Sequence, residues 1–378
     1  MTFVPFSRRK VLAGGLASGL ALAALPEAAR AAPVPFQVRW PCSGAEREQI
    51  RSALRIPGLG FAREGYGERS LGVSGFRMRG RSVAVQADDR WHWGSITKPM
   101  TATLIGGAVE AGLLSWDSRP LDLLRDAVAD AHPGYADVTL LHLLTHRAGI
   151  AAMDSDTELL TFPREEADPR ASRLAAARLT LARAPIAPPG VRHVYGNRGY
   201  IIAAAMLEQV AGAPWEALMV ERLFTPLGLT SAGFGAPGTP GLLDQPVGHA
   251  SWNGPSVTPH PPGLTISDNP AVMGPAARVH MNLADMLKFL AAHRDAAPLL
   301  ARATWDKLHR APYGGNYAPG WMVAPEGLWH SGSNRLWNAE VIVTPGNVAA
   351  AACNDGDFAK VNPALHAAIR DGERYCGV

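Results

Sequence analysis

The chain has 378 residues, 47% hydrophobic and 18% charged, a length that allows two domains or one large domain with an insertion. Its 36 Lys and Arg residues and 33 Asp and Glu residues give a net charge of +3. Residues 1–31 hold four of the basic residues and one acidic residue, which leaves 32 of each in the rest of the chain. A body without net charge excludes nucleic acid or an anionic membrane as a partner bound through overall charge.

The first 31 residues have the pattern of a signal peptide. A basic segment, residues 7–10, precedes an uncharged apolar run over 11–25 and the small-residue sequence Ala-Arg-Ala at 29–31. The paired arginines favour twin-arginine export over an ordinary Sec signal or a membrane anchor. We therefore expect a periplasmic or secreted protein. No later stretch is long and apolar enough to cross a bilayer, so we expect no transmembrane anchor in the mature chain.

The elements that follow predict strands, then helices, then strands and a last helix. Glycine-punctuated, β-rich stretches predict strands over residues 58–63, 69–78 and 90–93. Helical spacing predicts helices over residues 96–111, 139–149 and 199–211, and a fourth after Asn282 as N-cap. Period-two patterns predict antiparallel strands over residues 320–323, 328–331, 337–344 and 348–353. Asn362 as N-cap, with Pro363 in the first helical position, predicts the final helix.

This order is typical of an α+β fold whose middle is a helical insertion. We expect an α/β domain with an antiparallel sheet, formed by residues 36–100 and 255–378, and a helical domain over residues 101–254. The three cysteines, Cys42, Cys353 and Cys376, form no C-x-x-C pair, which disfavours metal or thioredoxin-like chemistry. A disulfide between Cys42 and Cys376 remains open, and we expect neither a metal nor a cofactor.

Ser95 and Lys98 form the first candidate catalytic pair, as S-x-x-K. The same pattern occurs in the leader, so the spacing alone is weak. Lysine usage makes the second occurrence informative, because the chain has 31 arginines and only five lysines: Lys10, Lys98, Lys288, Lys307 and Lys360. Arginine suits a solvated charge equally well but cannot act as a base, since its pKa stays above about 12, whereas burial can lower the pKa of a lysine by several units.

The predicted local structure supports this pair. Ser95 follows Gly94 where a strand gives way to a helix, and the electropositive helix N-terminus favours an anion at that position. Positions i and i+3 share a helix face, so the Lys98 amine can reach the Ser95 hydroxyl. Pro99 fits the first turn, where its missing N–H costs little. The alternative interpretation is a capping serine with a surface lysine.

Two further groups strengthen the hypothesis. Tyr195 and Asn197 lie in a turn before a helix, and His330-Ser331-Gly332-Ser333 lies on a predicted strand. A tyrosine can relay protons, an asparagine amide can hold a substrate carbonyl, and a strand edge can present an N–H that completes an oxyanion hole with that of Ser95. Taken singly, these residues have plainer interpretations as a core aromatic, a helix cap and an exposed strand residue.

Together, Ser95-x-x-Lys98, Tyr195-x-Asn197 and His330-Ser331-Gly332 resemble the three motifs of serine β-lactamases and penicillin-binding proteins. The Tyr-x-Asn form is similar to the class C branch, which includes D-alanyl-D-alanine carboxypeptidases and esterases. Residues 140–149 and 224–229 also look like family segments. The resemblance implies a β-lactamase/transpeptidase-like fold, with an antiparallel sheet packed by terminal helices and an all-helical insertion.

His330 departs from the family pattern, which usually has a lysine there that holds the substrate carboxylate. Arg335 is a candidate for the missing charge. Four tryptophans near the motifs are candidates either for an apolar acyl pocket or for ordinary core packing: Trp91, Trp93, Trp329 and Trp337. The pair His142-x-x-x-His146 has metal-ligand spacing but lacks the glutamate of H-E-x-x-H, and we interpret its helix as structural.

The sequence thus predicts an exported serine hydrolase that cleaves an ester or amide of a small molecule or peptide through an acyl-serine intermediate. Ser95, Lys98 and Tyr195 are the expected catalytic residues. The expected substrate-binding and oxyanion residues are Asn197, His330, Ser331, Gly332, Ser333 and Arg335. Alternatives are a penicillin-binding sensor without turnover, a true β-lactamase and a D-alanyl-D-alanine carboxypeptidase.

Overall fold

The computed structural model describes residues 43–151, 153–251, 257–264 and 266–371. The predicted signal peptide and the cysteines at 42 and 376 lie outside these ranges, so the cleavage and the disulfide stay predictions. Cys353 is a buried free thiol, and burial raises its pKa to about 12. Within the described ranges, no helix has the length and apolarity that crossing a membrane requires.

A seven-stranded antiparallel sheet carries the fold. In spatial order its strands are β2 (Glu68–Gly75), β1 (Gly58–Gly65), β12 (Asn347–Cys353), β11 (Asn338–Val343), β10 (Gly327–Ser333), β9 (Trp321–Ala324) and β8 (Tyr317–Ala318). β1 pairs with β12, with Leu59 opposite Cys353, so the two ends of the described chain meet inside the sheet. β11 and β12 are buried along their whole length, which requires cover on both faces of the sheet.

Helices supply that cover. On one face, α1 (Gly44–Ala53) and α12 (Phe358–Asp371) pack over an apolar cluster that includes Phe61 and Leu365. On the other lies α10 (Leu283–Asp295), whose N-cap prediction is confirmed, because Asn282 Oδ1 accepts the Asp285 amide at 2.8 Å. The fold class predicted from the sequence, an α+β sheet with flanking terminal helices, is therefore observed.

The start of the last helix was predicted wrongly. α12 begins at Phe358, so Pro363 lies inside it rather than at its first position. Asn362 does not cap the helix; its side-chain amide donates to the buried carboxylate of Glu340 on β11. A buried carboxylate needs hydrogen-bond donors, and Asn362 can donate to Glu340 because it lies inside α12 rather than at its N-terminus.

The remaining helices and small strands follow β2 and precede β8 in the sequence. The helices are α2 (Thr97–Glu110), α3 (Pro120–Leu124), α4 (Leu140–Leu144), α5 (Arg170–Leu181), α6 (Arg198–Ala211), α7 (Trp215–Met219), α8 (Thr225–Leu227), α9 (Gly274–Ala277) and α11 (Arg302–Leu308). One small sheet has the order β3 (Arg90–His92), β7 (Val279–Asn282), β4 (Gly233–Phe234), and another pairs β5 (Gly248–Ser251) with β6 (Val257–His260).

The insertion is helical over most of its predicted range. The described residues from Thr97 to Leu227 form helices and connecting turns, whereas β4 and β5 fall within residues 101–254, which the sequence assigned to the helical domain. The division into two domains at these boundaries stays a prediction. α4 is shorter than expected: it ends at Leu144, and His146 beyond it has a left-handed φ of 58°.

Candidate active site

Ser95 lies in a single 3-10 turn, Gly94–Ile96, between β3 and α2. Gly94 has a φ of 51°, a conformation that favours glycine. The turn continues directly into α2, so the backbone amide of Ser95 lies at the electropositive start of that helix. The side chain of Ser95 is half-buried, while Lys98 in the next turn is fully buried.

The Lys98 amine lies 3.0 Å from Ser95 Oγ, 2.9 Å from Asn197 Oδ1 and 3.2 Å from the Ala276 carbonyl oxygen. An amide oxygen and a backbone carbonyl can only accept hydrogen bonds, so the amine donates to both. Of these three contacts, only the Ser95 hydroxyl can also give a proton to the amine. The contacts therefore orient Lys98 to exchange a proton with Ser95.

Asn197 and Tyr195 meet Lys98 from the other side. Asn197 lies at the N-cap position of α6, but its side chain makes no capping hydrogen bond and instead accepts from Lys98. The Tyr195 ring centroid is 4.8 Å from the Lys98 amine, and the half-buried ring also packs 4.4 Å from that of His146. The two residues of the middle motif thus reach the Ser95–Lys98 pair from the segment that leads into α6.

Strand β10 passes directly against the nucleophile turn. A Cβ added to Gly332 would lie 1.9 Å from the Trp93 carbonyl oxygen, and one added to Gly94 would lie 2.4 Å from the backbone nitrogen of Ser333. Neither contact is possible for a real side chain, so both positions need glycine. The close approach places the backbone nitrogen of Ser333 against Gly94, next to Ser95, so the backbone amides of Ser95 and Ser333 are the candidate donors of an oxyanion hole.

The close approach leads to a testable prediction. Gly332→Ala should lower kcat about 10-fold or more, because the new methyl group must push β10 away from the turn, and displacements near 1 Å can cost two orders of magnitude. Gly107→Ala on α2 is the control, since its Cβ would meet only Leu300 Cδ2, at 3.5 Å. Ester hydrolysis and thermal unfolding of both variants check this, and equal kcat values would contradict it.

His330 is buried behind the site rather than open to a ligand. Its Nδ1 lies 2.6 Å from the Ser331 carbonyl oxygen, which only accepts, so Nδ1 carries the proton. Its Nε2 lies 3.0 Å from the Tyr317 hydroxyl, which then donates to it. Burial, with the nearby charge of Lys98, lowers the pKa of His330 to about 3. The ring is neutral and both nitrogens are engaged.

The structure also places Ser331 and Arg335, two further residues that the sequence predicts to bind substrate. Successive strand residues face opposite sides, and the Ser331 hydroxyl bonds the Glu340 carboxylate on the α12 side of the sheet. Arg335 is exposed in a left-handed turn after β10.

The tryptophans lie in the core rather than in an acyl pocket. Trp91 and Trp337 pack edge to face with ring centroids 6.2 Å apart, and Trp93 donates to the Met281 carbonyl oxygen. Trp329 lies against His366 of α12, on the far side of the sheet.

The site also contains aromatic residues that lie outside the three sequence motifs. Tyr200, Tyr317 and His146 surround the Lys98 and Tyr195 side chains, with His146 4.6 Å from Tyr317 and 5.5 Å from Tyr200 between ring centroids. Burial, and then the charge of Lys98, lowers the pKa of His146 well below its usual value. In the sequence, His146 stood out only because its spacing from His142 is typical of metal ligands. Helix α4 ends at Leu144, between the two histidines, and the His142 ring stacks on Tyr313 rather than lying beside His146.

Comparisons with known proteins find similar chains. Penicillin-binding protein 4 of Amycolatopsis lactamdurans is 32% identical over 252 residues, which cover 66% of this chain and 62% of that protein. The unguisins hydrolase of Aspergillus violaceofuscus is 28% identical over 206 residues, covering 50% of this chain and 34% of that protein. The chain thus spans less than two thirds of the length of either curated relative.

A solved structure supports the fold. The penicillin binding protein from Bacillus halodurans superposes with a TM-score of 0.70 at 21% identity, over 85% of this chain and 97% of that one. The sequence model of the beta-lactamase family matches residues 47–371, which is most of the chain and includes all three motifs. The protein therefore belongs to the beta-lactamase family.

Proposed function

We propose that the protein is an exported serine hydrolase that cleaves esters or amides through an acyl-enzyme on Ser95. The observation that carries the proposal is the contact of the buried Lys98 with Ser95 Oγ at 3.0 Å, because the Ser95 hydroxyl can give its proton to the amine whereas Asn197 Oδ1 and the Ala276 carbonyl oxygen only accept. Membership of the beta-lactamase family supports the same chemistry.

In the first step, Ser95 Oγ attacks the carbonyl carbon of the substrate while its proton passes to the neutral amine of Lys98. The carbonyl π electrons move onto oxygen, and the amides of Ser95 and Ser333 stabilise that oxyanion. Asn197 Oδ1 accepts a hydrogen bond from Lys98, which holds the Asn197 amide group beside the nucleophile. This step requires no metal or cofactor.

In the second step, the tetrahedral intermediate collapses and the bond to the leaving group breaks. The leaving alcohol or amine takes the proton from Lys98, and Tyr195, whose ring packs against that amine, relays it. Water then attacks the acyl-serine ester, its proton returns through the same groups to Ser95 Oγ, and the acid is released. The enzyme is regenerated without net proton change beyond ionisation of the product.

His330 favours esters over β-lactams as substrates. A β-lactam presents a carboxylate that needs a cationic partner, and a charge-assisted hydrogen bond contributes about 1.5–3 kcal/mol. His330 is neutral, buried and bonded at both nitrogens, so it does not supply that charge. Because its pKa is about 3, protonation does not restore the charge at any pH between 5 and 8. Activated esters need no such partner.

We expect p-nitrophenyl esters to give a higher kcat/KM than nitrocefin, and His330→Lys to raise the nitrocefin-to-ester ratio about 10-fold or more. Tyr317→Phe is the control, because it removes the hydroxyl that bonds His330 Nε2 without adding charge, and it should leave the ratio near its original value. A ratio that does not change in His330→Lys would show that the substrate carboxylate is not bound at this position.

A second candidate is a penicillin-binding protein that acylates and then stops, or a D-alanyl-D-alanine carboxypeptidase. The likeness to penicillin-binding protein 4 of Amycolatopsis lactamdurans favours it. A screen over p-nitrophenyl esters, nitrocefin and D-amino-acid peptides separates the candidates. Sustained ester turnover supports the proposed hydrolase, whereas one equivalent of bound penicillin without turnover on any substrate would contradict it.

A further inference from the structure

A buried histidine and a buried aspartate lie directly behind the nucleophile turn, outside all three motifs. His92, on β3, is three residues before Ser95, and Asp268 precedes α9. Their side chains are 0% and 2% exposed, and His92 Nε2 lies 3.0 Å from Asp268 Oδ1 and 3.1 Å from Oδ2. Neither residue takes part in the proton transfers proposed above, so this pair needs another reason to be buried there.

The hydrogen bonds assign the tautomer of His92. The Gly94 backbone N–H donates to His92 Nδ1 at 3.1 Å, so Nδ1 holds a lone pair. Nε2 therefore carries the hydrogen and donates it to the carboxylate of Asp268. Burial by itself would raise the pKa of Asp268, but contacts with His92, Arg278 and Asn334 together outweigh burial and lower that pKa to about 2, so the carboxylate is ionised. The carboxylate thus fixes the tautomer that can hold the Gly94 amide.

The same carboxylate also reaches the end of β10. Asp268 Oδ1 accepts from the Asn334 side-chain amide at 2.8 Å, and Asn334 Oδ1 accepts the backbone amides of Leu336 and Trp337, each at 3.1 Å. Asn334 immediately follows Ser333. One carboxylate is therefore bonded, through His92 and through Asn334, to the two segments that carry the proposed oxyanion-hole amides.

We propose that Asp268 and His92 are positioning residues that hold the amides of Ser95 and Ser333 at the separation that binds the oxyanion. This inference rests on the proposed function. The left-handed Gly94 turn has no side chain to lock it and touches β10 within van der Waals limits, so a small rotation changes where both amides point. The bond from Gly94 to His92 opposes that rotation.

Two isosteric variants separate the two bonds of the imidazole. In His92→Gln the side-chain NH₂ lies where Nε2 was and keeps the bond to Asp268, but nothing accepts the Gly94 amide. In His92→Asn the amide oxygen lies where Nδ1 was and keeps the bond to Gly94, but the link to Asp268 is lost. We expect kcat for a p-nitrophenyl ester to fall about 10-fold or more in His92→Gln with KM within about 2-fold, because the lost alignment acts on the transition state.

His92→Asn should keep a kcat at least about 5-fold above that of His92→Gln. The inhibition constant of phenylboronic acid, which forms a tetrahedral adduct with an active-site serine, should rise in His92→Gln by about the same factor as kcat falls. The apparent pKa values of the pH–rate profile should not move, since proton transfer belongs to Lys98 and Tyr195. Thermal unfolding and the fraction of chains labelled by a fluorophosphonate measure how much protein is folded, and kcat is corrected for any loss.

Equal kcat values for the two variants, after this correction, would overturn the inference, as would unchanged boronate inhibition in His92→Gln. A failure of the proposed function looks different. If Ser95→Ala keeps its ester hydrolysis, the hydrolase proposal fails whatever His92 does. If Ser95 is required but His92→Gln keeps the original kcat, only the positioning role is lost.

Discussion

Ser95→Ala should abolish hydrolysis of activated esters, with kcat/KM falling roughly 10⁴-fold or more, as for other nucleophilic serines. The Ser95 hydroxyl oxygen is the atom that Lys98 contacts at 3.0 Å, whereas the Asn197 Oδ1 and the Ala276 carbonyl oxygen that Lys98 also contacts cannot act as nucleophiles. The residual rate should be that of transition-state binding alone. Initial rates with p-nitrophenyl acetate, with thermal unfolding as the control for folding, test the expectation.

Because only an oxygen is removed from a half-buried side chain, the variant should fold normally. Unchanged melting with lost activity is the predicted pair of results. A variant that melts normally and keeps more than about a tenth of the activity would show that Ser95 is not the nucleophile.

Lys98→Arg should lower kcat about 10²-fold or more, nearly as much as Lys98→Ala, although the positive charge is kept. Arginine stays protonated near pH 7 and cannot take the proton from Ser95, and general base catalysis contributes about 10²–10⁴-fold. The larger guanidinium must also fit among Ser95, Asn197 and the Ala276 carbonyl, where Lys98 is fully buried.

Lys288→Arg is the matched control. Lys288 is partly exposed and donates to Asp285 and to the Gly228 carbonyl oxygen, contacts that a guanidinium can also make, so its kcat should stay within about 2-fold. Steady-state kinetics over a pH range, with circular dichroism for both variants, provide the measurement. An active Lys98→Arg would mean that Lys98 serves only as a positive charge.

Much of the fold was predictable because local patterns and tertiary demands agree along most of the chain. The apolar spacing after Asn282 and the period-two runs of the C-terminal strands each match an observed element. The failures occur where a buried group overrules the pattern. The Asn362 side chain donates to the Glu340 carboxylate, and α12 begins at Phe358, before the Asn-Pro pair that predicted its start. Helix α4 ends at Leu144, and His146 beyond it has a left-handed φ and packs among the aromatic rings of the site.

The candidate site was predictable only as far as its motifs reach. S-x-x-K and Tyr-x-Asn mark residues that the structure brings together around the Lys98 amine. Strand periodicity already implied that His330 and Ser331 face opposite sides, so only one of them can point towards Lys98. His92, Asp268 and Tyr317 carry no local signal, because each contributes through partners that are distant in the sequence, such as Asp268 to His92, 176 residues away.

Covalent labelling tests the central proposal most directly. The purified protein would be incubated with a fluorophosphonate, digested and mapped by mass spectrometry, with Ser95→Ala treated in parallel. We expect one label per chain on the peptide that contains Ser95, and none on Ser95→Ala. A label on a different residue, in a protein whose Ser95→Ala variant still hydrolyses esters, would contradict the proposal that Ser95 is the nucleophile.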